Sequence, residues 1–183
     1  MLASAAALND LIRSERLVLE PLCASHAACL FELLLEPRLY RWISALPPAS
    51  LEGLQQRWAA SESRGPNAAG QFDLNWAVRR SSDGRYIGKF DAEVSNQIAT
   101  NVGYIVGLPF WGQGYATEAV QAVAAHLEQQ GVIEQRAFVT LGNTASERVL
   151  TKAGFVRTRV IPDNDTIRGE KHADVELVRK VHG

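Results

Sequence analysis

The stretch NVGYIVGLPFWGQGYATEAVQAVAAHL, residues 101–127, constrains this chain more than any other. It predicts three pieces in direct succession: a short apolar strand over 102–106, a loop with glycines at Gly107, Gly112 and Gly114, and an amphipathic helix. Val120, Val123, Ala124 and Leu127 recur at helical spacing, and Gly131 offers a C-terminal stop. A strand feeding a glycine-rich loop that opens a helix is an anion-binding arrangement. Glycines let the backbone approach a ligand, the first helical N–H groups lack internal partners, and the macrodipole adds roughly half a positive charge. A phosphate is the expected guest; the competing reading is that Gly112 and Gly114 only shape a turn before a packed helix. No Lys-Ser or Lys-Thr follows the last glycine, so this is not a Walker loop, and Thr117 stands where a G-x-G-x-x-G loop needs its third glycine. Nucleotide hydrolysis and nicotinamide binding both lose ground.

With 183 residues, 46% of them hydrophobic, the chain can build one domain with a real core, expected over 15–183 behind an N-terminal extension of 1–14. The formal net charge of -1 gives no global electrostatic reason to expect nucleic acid or a membrane surface as partner. Cys23 and Cys29, the only cysteines, fall in one predicted helix with neither disulfide-framework numbers nor metal-ligand spacing, so no metal is expected. MLASAAALND has no basic residue before its apolar stretch, and Asn9 and Asp10 interrupt it short of a membrane-spanning length; a cytoplasmic location is expected.

In chain order, ERLVLEPL (15–22) predicts a strand stopped by Pro21, followed by an apolar helix through Leu35. Pro47 and Pro48 break the chain, and Ser50 caps a second helix with Leu51, Leu54 and Trp58 on one side. Two strands, 72–79 and 85–94, flank a tight turn at Ser81-Ser82-Asp83-Gly84. In the second, Lys89, Asp91 and Glu93 share the face opposite Phe90, Ala92 and Val94, either as a solvated face or as acceptor-binding carboxylates. A strand over 135–141 precedes the helix of NTASERVLTKAGF (143–155), with Asn143 as N-cap and Gly154 past its end. Strands over 156–161 and 175–181 close the chain around a polar loop, PDNDTIRGEKHAD, expected to lack regular structure. The order is strand, two helices, three strands, helix, strand, helix, two strands: a mixed α/β pattern.

Those residues carry a resemblance. ERLVLEPL, IGKF, VGYIVGLPFWGQGYATEAV and N-x-x-S-x-x-V-L-x-K-x-G-F, in this order, resemble the GNAT superfamily of acyl-CoA N-acyltransferases, and within it the branch of ribosomal-protein alanine N-acetyltransferases. The resemblance implies an α+β mixed sheet, mostly antiparallel, splayed between strands 4 and 5 and flanked by about four helices. It implies acetyl-CoA as acetyl donor and a primary amine as acceptor, in a monomer or homodimer. The loop amides of Gly112, Gln113, Gly114, Tyr115, Ala116 and Thr117 would cradle the coenzyme A diphosphate. Tyr104, Ile105 and Val106 would offer main-chain hydrogen bonds to the pantetheine arm, which Asn143 would also reach, and an N–H near Ile105 would face the oxyanion.

Direct attack of an amine on a thioester needs a deprotonated nitrogen, a stabilised oxyanion and a proton for the departing sulfur. An α-amine, with a pKa of about 8, is partly neutral near pH 7; a lysine ε-amine, at about 10.4, needs more help. The chain departs from the superfamily at three informative positions. Trp111 replaces the Arg or Gln that usually opens the glycine motif. Leu150 replaces the tyrosine that protonates the thiolate in many members, leaving Ser146 as the substitute the branch suggests. Asn101 replaces a common glutamate, so Asp91 and Glu93 are the candidate bases, with His172 and Asp174 as further options. Trp42, Trp58, Trp76 and the loop near Arg168 are candidates to line an acceptor pocket. A peptide N-terminus, a small-molecule amine, or acetyl-CoA binding with little turnover are all compatible with these residues.

Overall fold

A computed structural model describes residues 2–62 and 65–181 of the chain. Its elements are α1 (Ala5–Leu8), β1 (Ile12–Arg13), β2 (Leu17–Pro21), α2 (His26–Leu34), α3 (Leu51–Ser61), β3 (Phe72–Arg80), β4 (Tyr86–Ser95), β5 (Ile98–Val106), α4 (Tyr115–Gln129), β6 (Glu134–Thr140), α5 (Thr144–Lys152), β7 (Val156–Ile167) and β8 (Glu170–Lys180), with 3-10 turns at Pro37–Tyr40 and Leu108–Phe110. Eight strands form one sheet in the order β1-β2-β3-β4-β5-β6-β8-β7. Every neighbouring pair is antiparallel except β5 and β6, which run parallel. The expected mixed α/β fold, α+β in its mostly antiparallel sheet, is the one observed. The expected split between strands 4 and 5 falls between β5 and β6, because the two-residue β1 adds one to the count.

Alternation along β4 sorts the two faces. Ile87, Phe90, Ala92 and Val94 are buried, while Lys89, Asp91 and Glu93 are half-buried on the other face. The buried set joins α4 residues Val120, Val123 and Leu127 in the main core, with Trp76 and Phe90 at its centre. On the opposite face, Leu30 and Leu34 of α2 and Leu54 and Trp58 of α3 make a second cluster over Ala77. Leu8 and Ile12, from the region expected as an extension, sit in the main core.

The polar segment read as irregular proves to be the tip of a long hairpin. β7 and β8 continue to Ile167 and Glu170 around Arg168 (φ 51°) and Gly169 (φ 86°), the paired positive φ values of a type I′ turn. Pro162 and the Asp/Asn run hid it from propensity, and the strand accommodates them with a register shift between Ile161 and Asp165. Cys23 lies ahead of α2 rather than within it, where its N–H donates to His26 Nδ1 (3.1 Å).

The N-terminal turn of α4 is pinned to the β1–β2 corner. The Glu118 carboxylate accepts from Ser14 Oγ, the Arg16 N–H and Arg16 Nε, each at 2.7 Å. Burial pushes the Glu118 pKa upward, but these donors outweigh it and hold it below the ordinary carboxylate range. A depressed carboxylate contributes stability above its unfolded pKa and loses it as pH falls through the folded one. Glu118→Gln should therefore cost about 1–2 kcal/mol at pH 7, or roughly 2–8 °C in Tm. That gap from wild type should shrink in denaturant titrations below about pH 4; a gap undiminished in acid would remove the carboxylate's charge as its cause.

Candidate active site

The site begins with a gap in the sheet. β5 and β6 pair only at Ile98–Glu134 and Ala99–Gln135 and then diverge, although β5 stays paired to β4 as far as Val106 and β6 to β8 as far as Thr140. A bulge accompanies the divergence: the β4–β5 register shifts between Asp91 and Glu93, and Asn101 on the bulged strand takes φ 51°. On the edge of β5 that faces the gap, the main chain of Tyr104 and the N–H of Val106 are left unpaired; Ile105, expected to join them, lies opposite Lys89 with its carbonyl toward Gly88, so its main chain turns to β4 instead. Such groups need a partner, and an extended ligand supplies one.

At the wide end of the gap lies the glycine loop. Gly112 (φ 72°) and Gly114 (φ 83°) occupy the left-handed region that glycine tolerates, and Gly114 serves as the N-cap of α4 with no side chain capping it. Among the described residues, the N–H groups of Gly112, Gln113, Gly114, Tyr115, Ala116 and Thr117 find no acceptor; the first helical bond is Glu118 N–H to Gly114 O (3.0 Å). The loop's carbonyl side, by contrast, is well tied. Arg16 Nη1 donates to Gln113 O (3.0 Å), Gln113 Nε2 to Pro109 O (2.8 Å), and the Arg16 guanidinium lies 4.6 Å over the Tyr115 ring. Trp111, a departure from the superfamily motif, uses its indole N–H on Val106 O (2.5 Å) and so braces the loop. The result is six convergent donors at a helix N-terminus, held from behind.

Across the gap, Asn143 caps α5: its Oδ1 accepts from the Ser146 N–H (3.3 Å). The Tyr104 ring stacks on Phe90, and its hydroxyl bridges the gap to Ser146 Oγ (2.9 Å). Burial pushes the Tyr104 pKa up to about 12, the bond from Ser146 only partly opposing it, so the phenol keeps its proton at neutral pH. This hydroxyl pair stands on the α4 and α5 face of the sheet. Leu150 is buried below it and offers no donor. The sequence treats Tyr104 as a main-chain contributor alone; only the approach of α5 to β5 shows what its side chain does.

Asp91 and Glu93 lie on the other face, with Ile105. Asp91 pairs with the Lys89 ammonium and backs against Gly103, where a Cβ would come within 2.9 Å of its Oδ2. Glu93 Oε2 accepts from Gln71 Nε2 (2.7 Å). Neither carboxylate meets Ser146, and the sheet separates them. The tryptophans divide as well. Trp58 and Trp76 are core residues, Trp76 donating to Asp10 O (2.9 Å), and cannot line a pocket. Trp42 is half-buried, and its ring stands 3.6 Å from where a Cβ on Gly142 would be. The segment carrying it is tied down by Thr140 Oγ1 to Trp42 O (2.9 Å) and Arg168 Nη2 to Tyr40 O (3.0 Å). His26 and His126 hold Cys23, Glu20 and the Leu8 carbonyl, so both are structural. Among the described residues, no group of three or more His, Cys, Asp or Glu side chains is placed to hold a metal ion. No helix among them is long and apolar enough to cross a membrane.

A parallel strand pair that opens beside an uncapped helix N-terminus puts free main-chain groups along the gap and free amides at its mouth. The model of the acetyltransferase (GNAT) domain matches residues 16–156, and the chain belongs to that family. Among curated proteins, it is 28% identical over 90 residues to the uncharacterized protein YkkB of Bacillus subtilis, covering 47% of this chain and 52% of that protein, so the chain spans about half the length of the curated relative it matches. Among solved structures it is similar to a GNAT-family acetyltransferase from Bacillus anthracis (17% identity, 93% of this chain and 98% of that one, TM-score 0.78). It is also similar to a RimL ribosomal L7/L12 alpha-N-protein acetyltransferase in complex with coenzyme A (19% identity, 93% and 98%, TM-score 0.82). At these identities the likeness is one of fold.

Proposed function

We propose that this protein is an acetyl-CoA-dependent N-acetyltransferase that moves the acetyl group directly to a primary amine. The observation that carries this reading is the row of unengaged amides from Gly112 to Thr117 beside an opened sheet. A diphosphate satisfies those donors, and the unpaired edge at Tyr104 and Val106 then accepts the pantetheine arm, with Asn143 on the far wall. The thioester comes to rest near the Tyr104–Ser146 bridge. The acceptor enters from the opposite face, where Asp91 and Glu93 are the candidate proton acceptors, acting through water.

As the nitrogen–carbon bond forms, a main-chain N–H near Ile105 faces the developing oxyanion. When the carbon–sulfur bond breaks, the sulfur takes the Ser146 hydroxyl proton, Ser146 is refilled from Tyr104 and Tyr104 from solvent, while the proton lost by the new amide nitrogen leaves to solvent through water and Asp91 or Glu93, so that one proton enters and one departs. This hydroxyl pair does the work that Leu150 cannot, which favours turnover over coenzyme binding alone. A peptide α-amine is the first choice of acceptor: it is partly neutral near pH 7, and the N-x-x-S pattern resembles the ribosomal-protein branch. Two unpaired cysteines suit a reducing compartment such as the cytoplasm.

Mass spectrometry of free-amine peptides, spermidine and single amino acids incubated with acetyl-CoA tests the proposal: an acetylated peptide is expected, an acetylated metabolite would move the acceptor class, and no product from any amine would overturn it. Ser146→Ala should lower kcat about 100-fold with the affinity for acetyl-CoA unchanged. Tyr104→Phe should cost less, since Ser146 stays in place. Full activity in the Ser146 variant would remove this residue from the mechanism.

A further inference from the structure

Two carboxylates on β8 are deeply buried, and their surroundings differ. Glu176, 5% exposed, is compensated by Arg159 Nε (2.9 Å), Thr158 Oγ1 (2.8 Å) and Arg136 Nη1 (3.9 Å). Asp174, also 5% exposed, has no cation among the described residues. Its Oδ2 accepts from Asn164 Nδ2 (2.8 Å), and its buried Oδ1 has no partner. Burying a carboxylate costs several kcal/mol unless charge and hydrogen bonds compensate it, and an unpaired oxygen on a buried carboxylate is a demand for a donor.

Where Asp174 stands gives that demand a direction. Val175 and Leu177 point into the main core, so Asp174 belongs to the other face, the one that carries Asp91 and Glu93. Its register partner is Thr140, the last residue of β6, whose hydroxyl holds the Trp42 carbonyl. Counted along β5 and β6 from their last paired positions, Thr140 lies near the level of Tyr104, so Asp174 sits one strand in from the gap at the height of the hydroxyl bridge. Trp42 stands against Gly142 at the same end. The Trp42 ring is already covered by the Arg41 guanidinium (4.9 Å), so the buried anion that still lacks a donor is Asp174, and a desolvated ammonium group is the donor that would match it.

We infer that Asp174 forms the ammonium-binding part of the acceptor subsite, so that the amine arrives protonated on the far side of the sheet from Ser146 and gives up one proton through water to Asp91 or Glu93 before it attacks. This inference rests on the acetyl-transfer reading and adds to it a cationic acceptor and the residue that recognises it. The Tyr40 and Trp42 carbonyls are tied to this end of the sheet by Arg168 Nη2 (3.0 Å) and by the hydroxyl of Thr140, the register partner of Asp174 (2.9 Å).

Asp174→Asn keeps the shape and one oxygen for Asn164 while removing the charge. Steady-state kinetics on the peptides and spermidine named above, with acetyl-CoA affinity by calorimetry as a check on folding, should show KM for the amine raised at least about 30-fold. The acetyl-CoA affinity should be within about twofold of wild type, a split that a purely structural role would not produce. Wild-type turnover with an unchanged amine KM in Asp174→Asn overturns this inference and leaves the acetyl-transfer reading intact; wild type that acetylates none of the amines overturns that reading itself. If Asp174→Asn also loses acetyl-CoA binding, Asp174 is a structural residue and the inference fails.

Discussion

Gly114→Glu should abolish acetyl-CoA binding in calorimetry while leaving the protein folded. Three effects act together at this position. The backbone is left-handed at φ 83°, which costs a glutamate roughly 1 kcal/mol or more, and a Cβ would come 3.3 Å from Arg16 Nη2, crowding the guanidinium that secures the loop. The new carboxylate would also occupy the row of amides from Gly112 to Thr117, serving as an internal anion and repelling the diphosphate. Loss of two or three charge-assisted bonds at about 1.5–3 kcal/mol each predicts an affinity drop of at least about 100-fold. Unchanged affinity would mean that the phosphates bind elsewhere, and the functional reading would go with it. Arg16→Ala should have a milder effect, because it loosens the loop without filling it.

Gly88→Val is the second large effect, and it concerns folding. Gly88 pairs with Val78 on β3 and Val106 on β5, in the middle of the sheet, and a Cβ there would lie 2.1 Å from the Ile105 carbonyl oxygen and 3.1 Å from the Val106 Cα. The obstructing atoms are β5 main chain and the clash is at Cβ itself, so no rotamer relieves it and β4 and β5 must separate or shift register. A loss of about 4 kcal/mol or more is expected, read as a Tm lowered by roughly 10 °C or as failure to accumulate folded protein. A melt within a few degrees of wild type would show that β4 does not approach β5 this closely. The same contact matters for the site: by holding Ile105 to β4 it sets where Tyr104 and Val106 present their main chain to the gap.

Most of the architecture was legible because the chain punctuates itself clearly. The alternation in β4, the Ser50 and Asn143 caps and the Gly84 turn are local signals, and each element appears where its residues predict. The β7–β8 hairpin tip was missed because strand propensity reads Pro162 and its Asp/Asn neighbours as loop, whereas pairing with β8 overrides that preference. Of the candidate site, the glycine loop was readable and the hydroxyl pair only half so. Ser146 was suggested by resemblance, but nothing in the residues around Tyr104 says that its phenol meets a helix 42 positions later. Asp91 and Glu93 announced themselves by alternation, while Asp174 was legible only as a further option for the base within a segment read as loop.

What the residues alone determined is everything that depends on near neighbours in sequence: a strand, then glycines with positive φ, then a helix whose first amides have nowhere to bond. Those are properties of a dozen consecutive residues, and no distant partner is needed to create them. What only the tertiary structure decided is which side chains share the opening: Tyr104 with Ser146 on one face, and Asp174 buried without a cation on the other. These meetings follow from sheet order, from the bulge at Asn101 and from the angle at which β6 leaves β5, quantities fixed by the packing of the whole core rather than by any local run of residues.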